Sequence, residues 1–239
     1  MNLSEVVVEP VGRSEERRYQ HLMQEHHYLG CLPKISETLW YVAHWQDQWV
    51  ALVGFSAAAW KCGARDRWIG WDLRHQYDRL KLVVNNSRFL ILPDWHVPNL
   101  ASRVLSLCLK RLTRDWQNTF GHPVVLLETF VDPRRFRGTV YKAANWLHVG
   151  ETRGFRRTGK GYSAQTHPPK MVFVKPLQPE ARELLSRSIL EPPYRTGGVR
   201  IMLKAEQMRS LPQFFTDIPD PRRTHGRRHR LSTVLAIAA

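Results

Sequence analysis

Four side chains that can transfer protons or orient a reacting group fall close together in the second half of the chain. Glu128 lies on the apolar run 124–131, Asp132 follows that run directly, and Tyr141 and Asn145 are four positions apart further on. Side chains alternate along a strand, so Glu128 and Asp132 share one face, whereas residues one helical turn apart point the same way. The spacing predicts a general acid and base set near the open end of that strand, made of Glu128, Asp132, Tyr141 and Asn145.

The same set also allows a purely structural interpretation. Glu128 would form an ion pair with Arg88 or Arg135, Asp132 would cap a helix, and Asn145 would bind loop backbone. Pairs and caps of this kind perturb carboxylate pKa values just as catalytic sites do. In either case the side chains need partners, because an unpaired polar group in a buried sheet costs free energy.

His27 is a fifth catalytic candidate. A polar helix predicted over about residues 14–25 stops at the sequence HHYLG, where Gly30 can adopt a left-handed conformation. A histidine at such a helix end can face a site, although a structural role is the alternative. The histidines of the chain have neither H-x-E with C-x-x-C spacing nor H-E-x-x-H spacing, so no metal site is predicted.

A succession of strands and helices must position these residues. Two apolar runs flank Gln46-Asp47-Gln48 and predict a β-hairpin. A further strand is predicted over 83–92, and a nearly unbroken apolar strand over 124–131 has the composition of a parallel strand covered on both faces. Between them a long helix is predicted, with Asn99 as N-cap and an apolar stripe formed by Leu100, Val104, Cys108, Leu112 and Trp116.

The order of these elements predicts an α/β fold of the acetyltransferase (GNAT) type, a mixed sheet flanked by helices. Asp132 and Pro133 are predicted to start a helix whose inward face includes Phe136. In sheets of this class, ligands bind near the carboxyl ends of the strands. The predicted catalytic set lies at that end.

The loop in front of the long helix is poorly suited to coenzyme A. A pyrophosphate cradle at a helix N-terminus needs several free backbone N–H groups, which a glycine-rich loop provides. The sequence there is WHVPNLAS, with a proline and no glycine. Ordinary acetyl-CoA chemistry is therefore disfavoured, and the cofactor is left unknown.

Charge points to a polyanionic partner. The chain has 36 Lys and Arg against 21 Asp and Glu, a net charge of +15. Residues 1–165 carry 23 basic and 15 acidic side chains (+8), and residues 166–239 carry 13 and 6 (+7). A distributed excess of this size favours DNA or RNA, and a basic protein without a nucleic-acid role is the alternative.

Arginines in several segments are candidate nucleic-acid contacts. The segment 65–71 interleaves arginine with tryptophan in a predicted loop, which suits base stacking or, equally, a loop held by Arg–Asp pairs. A cluster near the end of the sequence contains arginines and histidines without any acid and resembles a phosphate-contacting arm. The predicted contacts are Arg65, Arg67, Trp71, Arg88, Arg135, Arg222, Arg223, Arg227, Arg228 and Arg230.

Composition excludes several other classes of protein. The apolar runs are shorter than the roughly 20 residues of a membrane span, and the first residues do not form a signal peptide. Three scattered cysteines predict a reducing, cytoplasmic setting without a disulfide framework. The expected organisation is a domain over 1–175, a proline-rich linker over 176–210, and a short basic segment over 211–239 whose apolar end suggests a piece of a longer protein.

Longer motifs resemble a known family. HHYLG, AAWKxxARDxWIGW, NNSRFLILP, ETFVDPxRFxGT and YKAANW, within residues 19–161, resemble the DruA-like family of the Druantia anti-phage defence system. The tail DPRRxxGRRHxLxxVL resembles the N-terminal associated segment of H-repeat-type DDE transposases, without a DDE triad. The resemblance implies DNA as the target and other defence or transposon proteins as partners, and it supplies no catalytic residues.

The predicted function is that of a DNA-acting protein of anti-phage defence or of a mobile element. Its GNAT-like domain would recognise or modify nucleic acid. The alternatives are an N-acyltransferase acting on a small amine or a protein, and a non-catalytic scaffold. Whether the chain is an enzyme is left open at this stage.

Overall fold

The computed structural model describes residues 1–34, 36–71, 73–154, 157–158, 161–162, 168–195, 213 and 215–216. The chain divides into two compact units, Met1–Thr196 and Gly197–Ala239, and the description below concerns the first. Its strands are β1 (Val7–Pro10), β2 (Thr38–Trp45), β3 (Gln48–Ala57), β4 (Val83–Ile91), β5 (Leu126–Val131), β6 (Leu147–Glu151), β7 (Arg157–Thr158), β8 (Gly161–Tyr162) and β9 (Met171–Pro176). Its α-helices are α1 (Glu16–His26), α2 (Gly63–Ile69), α3 (Leu73–Arg79), α4 (Leu100–Phe120), α5 (Thr139–Ala143) and α6 (Ala181–Ser186).

Seven strands form one mixed sheet in the order β1-β2-β3-β4-β5-β9-β6, and β7 pairs with β8 separately. Strands β4 and β5 are parallel, whereas the other neighbours in the described sheet are antiparallel. Parallel neighbours need a crossover connection, and α4 provides it. An antiparallel first half followed by this crossover is the arrangement predicted from the sequence, so the predicted GNAT-like mixed sheet flanked by helices is confirmed.

Helix α4 covers one face of the sheet. The five residues of its predicted apolar stripe are all fully buried, against Val84 of β4, Leu127 of β5 and Phe173 of β9. The stripe is therefore confirmed. Asn99 is the N-cap residue, as predicted, but its backbone is left-handed (φ 64°) and its side chain makes no capping hydrogen bond.

Helices α1, α2 and α6 cover the opposite face. Tyr19 and Met23 of α1 pack on β2 and β3, and α2 packs beside α6 over β4 and β5. The loop predicted over 65–71 is wrong, because most of that segment belongs to helix α2. It forms because the Asp66 carboxylate accepts the Cys62 backbone N–H at 3.2 Å, and Gly70 ends it in a left-handed conformation with φ 82°.

Strands β4 and β5 diverge towards their carboxyl ends. Their ladder contains only residues 83–85 of β4 and 126–128 of β5. On its other side β4 has a β-bulge, because Gly54 pairs with Arg88 and Phe55 with Asn86, which leaves Ser87 as the extra residue. The paired ladder therefore stops before residues 86–91 of β4 and 129–131 of β5, and this region is named here the β4–β5 opening.

The first unit continues past the predicted domain end at residue 175. Ala181, Leu184, Leu185 and Leu190 are buried against the α2 side of the sheet. The buried Arg79 guanidinium donates to the Leu185 carbonyl oxygen at 2.7 Å. The linker predicted from residue 176 is therefore wrong for 176–195, because a helix as short as α6 is held by packing and has too few residues to show periodicity. Within the described residues, no helix has the length and apolar character needed to cross a membrane.

Candidate functional site

Glu128 forms a buried ion pair with Arg65. Its Oε2 lies 2.8 Å from Arg65 Nη1, its Oε1 accepts the Ala59 N–H at 2.8 Å, and both side chains have 0% exposure. Burial raises the pKa of the Glu128 carboxyl, and the Arg65 guanidinium partly offsets that effect. The expected position of Glu128 at an opening towards solvent is wrong, and so are the two expected partners, Arg88 and Arg135.

The same network contradicts the expected exposure of Arg65 and Trp71. Arg65 Nε donates to Asp66 Oδ1 at 2.9 Å, and the Trp71 indole N–H donates to the same oxygen at 2.9 Å. Arg65 of helix α2 and Trp71, just after the helix, are both buried, and an aspartate and a glutamate satisfy the arginine. Neither can reach a nucleic acid, so these two predicted contacts are corrected. Arg67, on the outer face of α2, is exposed, and its contact stays a prediction.

The opposite face of β5 carries a second buried polar network. The Tyr141 hydroxyl donates to Asn86 Oδ1 at 2.7 Å. Thr129 Oγ1 donates to the Asn86 backbone oxygen at 3.0 Å, and Asn86 Nδ2 donates to the Gly54 carbonyl oxygen at 3.1 Å. Burial raises the pKa of Tyr141 to about 12, so the phenol remains protonated. These bonds connect β4 to β5 where the main-chain ladder stops.

Alternation along β5 separates the predicted catalytic set. Glu128 and Thr129 are adjacent in sequence and therefore point to opposite faces of the sheet. Tyr141 joins Thr129, and Glu128 joins Arg65 on the α2 side. The predicted grouping of Glu128 with Tyr141 is therefore wrong. The network on the Tyr141 side consists of Asn86 and Thr129, which the predicted set omits although the polar sequence NNS within an apolar strand was a signal for them.

Asn145 does not join either network. Helix α5 ends at Ala143, and Asn145 follows it with a left-handed backbone (φ 57°) and an exposed side chain. The helical spacing that predicted a shared direction with Tyr141 does not apply beyond the helix end. Its backbone oxygen accepts a hydrogen bond from Lys175 Nζ at 3.2 Å.

Asp132 belongs to a turn at the carboxyl end of β5. Its Oδ1 accepts the backbone N–H and Nε of Arg134, both at 3.0 Å, and its Oδ2 accepts Nη2 at 2.8 Å. The side-chain hydrogen bonds from Arg134 lower the pKa of Asp132 to about 2. The predicted helix start at Asp132 is wrong, because α5 begins only at Thr139 after the left-handed Gly138 (φ 68°). Phe136, expected to face inward, is 51% exposed.

Arg88 attaches the α1–β2 connection to β4. Its Nε donates to the Gly30 carbonyl oxygen at 2.7 Å and its Nη1 donates to the Ser87 carbonyl oxygen at 2.8 Å. These donors are occupied by main chain, so the predicted phosphate contact is replaced by a positioning role. His27 Nδ1 accepts the Leu29 N–H at 3.2 Å, and burial together with the Arg88 charge lowers the pKa of His27 to about 4. His27 is therefore a neutral imidazole at neutral pH.

Tyr28 and the loop after β5 form an exposed basic and aromatic surface. The Tyr28 ring lies 5.5 Å from the Phe136 ring and 5.1 Å from the Arg135 guanidinium, measured between centroids or to Cζ. Within the described residues, no carboxylate lies within an ion-pair distance of Arg135 or Arg137. This surface, named here the Tyr28 surface, lies at the carboxyl end of β5 and consists of Tyr28, Arg134, Arg135, Phe136 and Arg137.

The remaining predicted contacts, Arg222, Arg223, Arg227, Arg228 and Arg230, lie outside the described residues. Their role stays a prediction. Among the His, Cys, Asp and Glu side chains of the described part of the chain, no group of three or more could hold a metal ion.

Several acetyltransferases are among the solved structures with a similar backbone arrangement. A GNAT-family acetyltransferase from Streptococcus pneumoniae has a TM-score of 0.47 and 12% identity, covering 73% of this chain and 100% of its own. The aminoglycoside acetyltransferase AAC(6')-Ib with coenzyme A has a TM-score of 0.48 and 13% identity. The match covers 74% of this chain and 97% of that enzyme. An N-acetyltransferase from Staphylococcus aureus has a TM-score of 0.45 and 10% identity, and the match covers 72% of this chain and 97% of that enzyme. No curated protein sequence is significantly similar to the chain.

The family model described as Druantia protein DruA matches residues 2–164. The match includes HHYLG, the α2 motif ARDxWIGW, the NNSRF segment of β4, and the ETFVDP segment of β5 with its following turn. In the structure, HHYLG lies at the α1–β2 connection and ARDxWIGW contains the Arg65 network. The NNSRF and ETFVDP segments lie on the two sides of the β4–β5 opening. The chain therefore belongs to the DruA family of Druantia proteins.

Proposed function

We propose that this protein binds nucleic acid in anti-phage defence, and that the Tyr28 surface is its principal contact. The observation that carries the proposal is the placement of three arginines and two aromatic rings at the carboxyl end of β5. Arg134 is paired with Asp132, whereas Arg135 and Arg137 have no carboxylate partner within the described residues. Guanidinium groups without a carboxylate partner are suited to phosphate oxygens.

The charge of the whole chain supports this assignment. A net charge of +15 attracts a polyanion over a long range, and exposed arginines at one site direct it there. The three described cysteines are free, which fits the reducing cytoplasm in which the proposed function would take place. The tail arginines, with their resemblance to a transposase-associated segment, would add a second phosphate contact in the same proposal.

Salt-dependent binding tests the proposal. The full chain is titrated against labelled duplex and single-stranded oligonucleotides by fluorescence anisotropy at 50, 100 and 200 mM salt. We expect the affinity to fall steeply with salt, and the double variant Arg135→Ala/Arg137→Ala to reduce the logarithmic salt slope by roughly 1.5–2. Arg227→Ala/Arg228→Ala should weaken binding similarly if the tail also contacts phosphate.

Arg114→Ala is the matched control. Its side chain is 71% exposed near the end of α4, which precedes the amino end of β5, whereas the Tyr28 surface lies at the carboxyl end. The control variant should retain the wild-type salt slope within about 0.3, since distant surface charges contribute little to a phosphate contact. Wild-type protein that binds no oligonucleotide, or binds independently of salt, would overturn the proposal.

N-acyl transfer is the second candidate function, favoured by the divergence of β4 and β5 within the mixed sheet. The residues at the start of α4 fit coenzyme A poorly. Pro98 has no N–H, and the Leu100 N–H donates to the Val97 carbonyl oxygen at 3.2 Å, so few donors are left for a pyrophosphate. Calorimetric titration with acetyl-CoA discriminates the two candidates, because micromolar binding by folded protein would favour acyl transfer and its absence would disfavour it.

A further inference from the structure

We infer that the Tyr28 surface takes an unpaired nucleobase, stacked on Phe136, so that the preferred ligand is single-stranded nucleic acid. The inference rests on the proposed function and specifies the substrate class of the same surface. It depends on three features: the exposure of Phe136, the ring geometry beside it, and the arginines on either side of it in the sequence.

Phe136 is one of the large apolar residues that remain exposed in the described part of the chain. The residue is 51% exposed, in a turn, between Arg135 and Arg137. Leaving half of a phenylalanine in water forgoes the free energy that its burial would release. Its one aromatic contact in the described residues is with Tyr28, at a tilt of 56°, so no aromatic ring of the described chain stacks face to face on it. A planar apolar group stacked on the exposed part of the side chain would increase its burial.

The neighbouring rings form a continuous aromatic surface. His27, Tyr28 and Phe136 follow one another with centroid separations of 4.9 and 5.5 Å, and successive rings are tilted by 31° and 56°. The Arg135 guanidinium covers the Tyr28 ring at 5.1 Å, and it orients that ring by a cation–π contact. His27 is neutral at pH 7, because its pKa is lowered to about 4, so it contributes aromatic surface without adding charge.

The arginines select a nucleotide over other planar ligands. Arg135 and Arg137 flank Phe136 in the sequence and are both exposed, so phosphates on either side of a stacked base would meet a guanidinium. The half-buried Arg88 guanidinium, which donates to the Leu29 carbonyl oxygen next to Tyr28 at 3.4 Å, adds a further positive charge beside this surface. Bases in a duplex are covered above and below by their neighbours, so an aromatic side chain reaches only an unpaired base.

Three variants at one position test the inference. Phe136→Leu retains apolar volume without an aromatic face, and Phe136→Trp enlarges that face. Binding of a (dT)12 oligonucleotide, a U12 oligonucleotide and a 12-base-pair duplex is measured by anisotropy on the full chain. We expect Phe136→Leu to lose about 5- to 100-fold in affinity for the single strands, less than about 2-fold for the duplex, and Phe136→Trp to match or exceed wild type.

The matched control is Trp60→Ala, which removes another exposed aromatic ring (47%) on the α2 side of the sheet. It should leave single-strand affinity within about 2-fold of wild type. Quenching of 2-aminopurine placed in the oligonucleotide gives an independent readout, expected to be strong with wild type and Phe136→Trp and weak with Phe136→Leu. The ratio of (dT)12 to U12 affinity identifies DNA or RNA as the source of the base.

The outcomes separate this inference from the proposed function. If duplex and single strands bind equally and Phe136→Leu changes neither, base stacking is refuted while nucleic-acid binding stands. If no oligonucleotide binds, both are refuted. If Phe136→Leu abolishes phage protection and leaves all oligonucleotide affinities unchanged, the surface serves a protein partner and the inference is overturned.

Discussion

The Tyr141 hydroxyl lies 2.7 Å from Asn86 Oδ1, and this hydrogen bond joins α5 to the central strand β4. Asn86 in turn receives the Thr129 hydroxyl on its backbone oxygen. The bond therefore connects three elements around the β4–β5 opening. Its loss should loosen the turn that carries the Tyr28 surface.

Tyr141→Phe tests this connection. The variant leaves the buried Asn86 Oδ1 without its donor, which should lower the free energy of unfolding by about 1–3 kcal/mol in urea denaturation. Tyr28→Phe, which removes a half-buried hydroxyl, is the matched control and should change stability by less than about 0.5 kcal/mol. Unchanged stability together with lost phage protection would instead assign the Tyr141 hydroxyl a catalytic role.

The Arg65–Glu128 pair should be a structural requirement. Arg65→Met leaves Glu128 buried without a cation, at an expected cost of about 3–5 kcal/mol. Replacing both partners, as Arg65→Met/Glu128→Gln, should recover part of that loss because no buried charge remains. The double-mutant cycle is measured by urea denaturation at pH 7. Additive losses would show that the two side chains are energetically independent.

His27 should make stability depend on pH. Burial, followed by the Arg88 charge, lowers the pKa of His27 from 6.5 to about 4, so the unfolded chain binds this proton more readily than the folded protein. The contribution of the neutral His27 side chain to the free energy of unfolding is therefore fully present above pH 6.5, and it is lost as the pH falls from 6.5 towards 4. Because the imidazole is partly exposed to solvent, we expect a loss of about 1–2 kcal/mol.

Urea denaturation at pH 7.0 and pH 5.0 measures this effect. His27→Gln should flatten that part of the pH dependence, whereas His21→Gln, at an exposed position of α1, should retain it. Equal pH dependence in wild type and His27→Gln would show that His27 is not the group responsible.

Gly138→Ala should destabilise the turn before α5 for two reasons. Its φ of 68° is unfavourable for alanine, and an added Cβ would lie 2.7 Å from the Phe173 ring. We expect a loss of about 2–4 kcal/mol in thermal or urea denaturation. Gly121→Ala has a similar φ of 78° with nothing within 4 Å of the added Cβ, so it should cost only about 1 kcal/mol. Equal losses would show that the contact with Phe173 is unimportant.

Much of the fold could be predicted from the sequence. The α4 stripe, the β2–β3 hairpin and the buried β5 strand follow from periodicity and composition, because each depends on which faces of one element are apolar. The short elements could not be predicted. Helix α2 depends on the Asp66 carboxylate and on a buried arginine, and α6 depends on packing against the sheet, so neither has a periodic signal of its own.

The sequence by itself determined the order of the longer strands and helices, the excess of positive charge and the residues that are able to do chemistry. Only the tertiary structure decided which of them meet. Glu128 and Thr129 are neighbours in the chain, yet the pleat of β5 directs one to Arg65 and the other towards Tyr141. Arg65 and Arg135 are equally basic in the sequence, yet helix α2 buries the first, whereas the turn after β5 exposes the second. Partner choice depends on contacts between residues distant in the chain, and local spacing does not encode them.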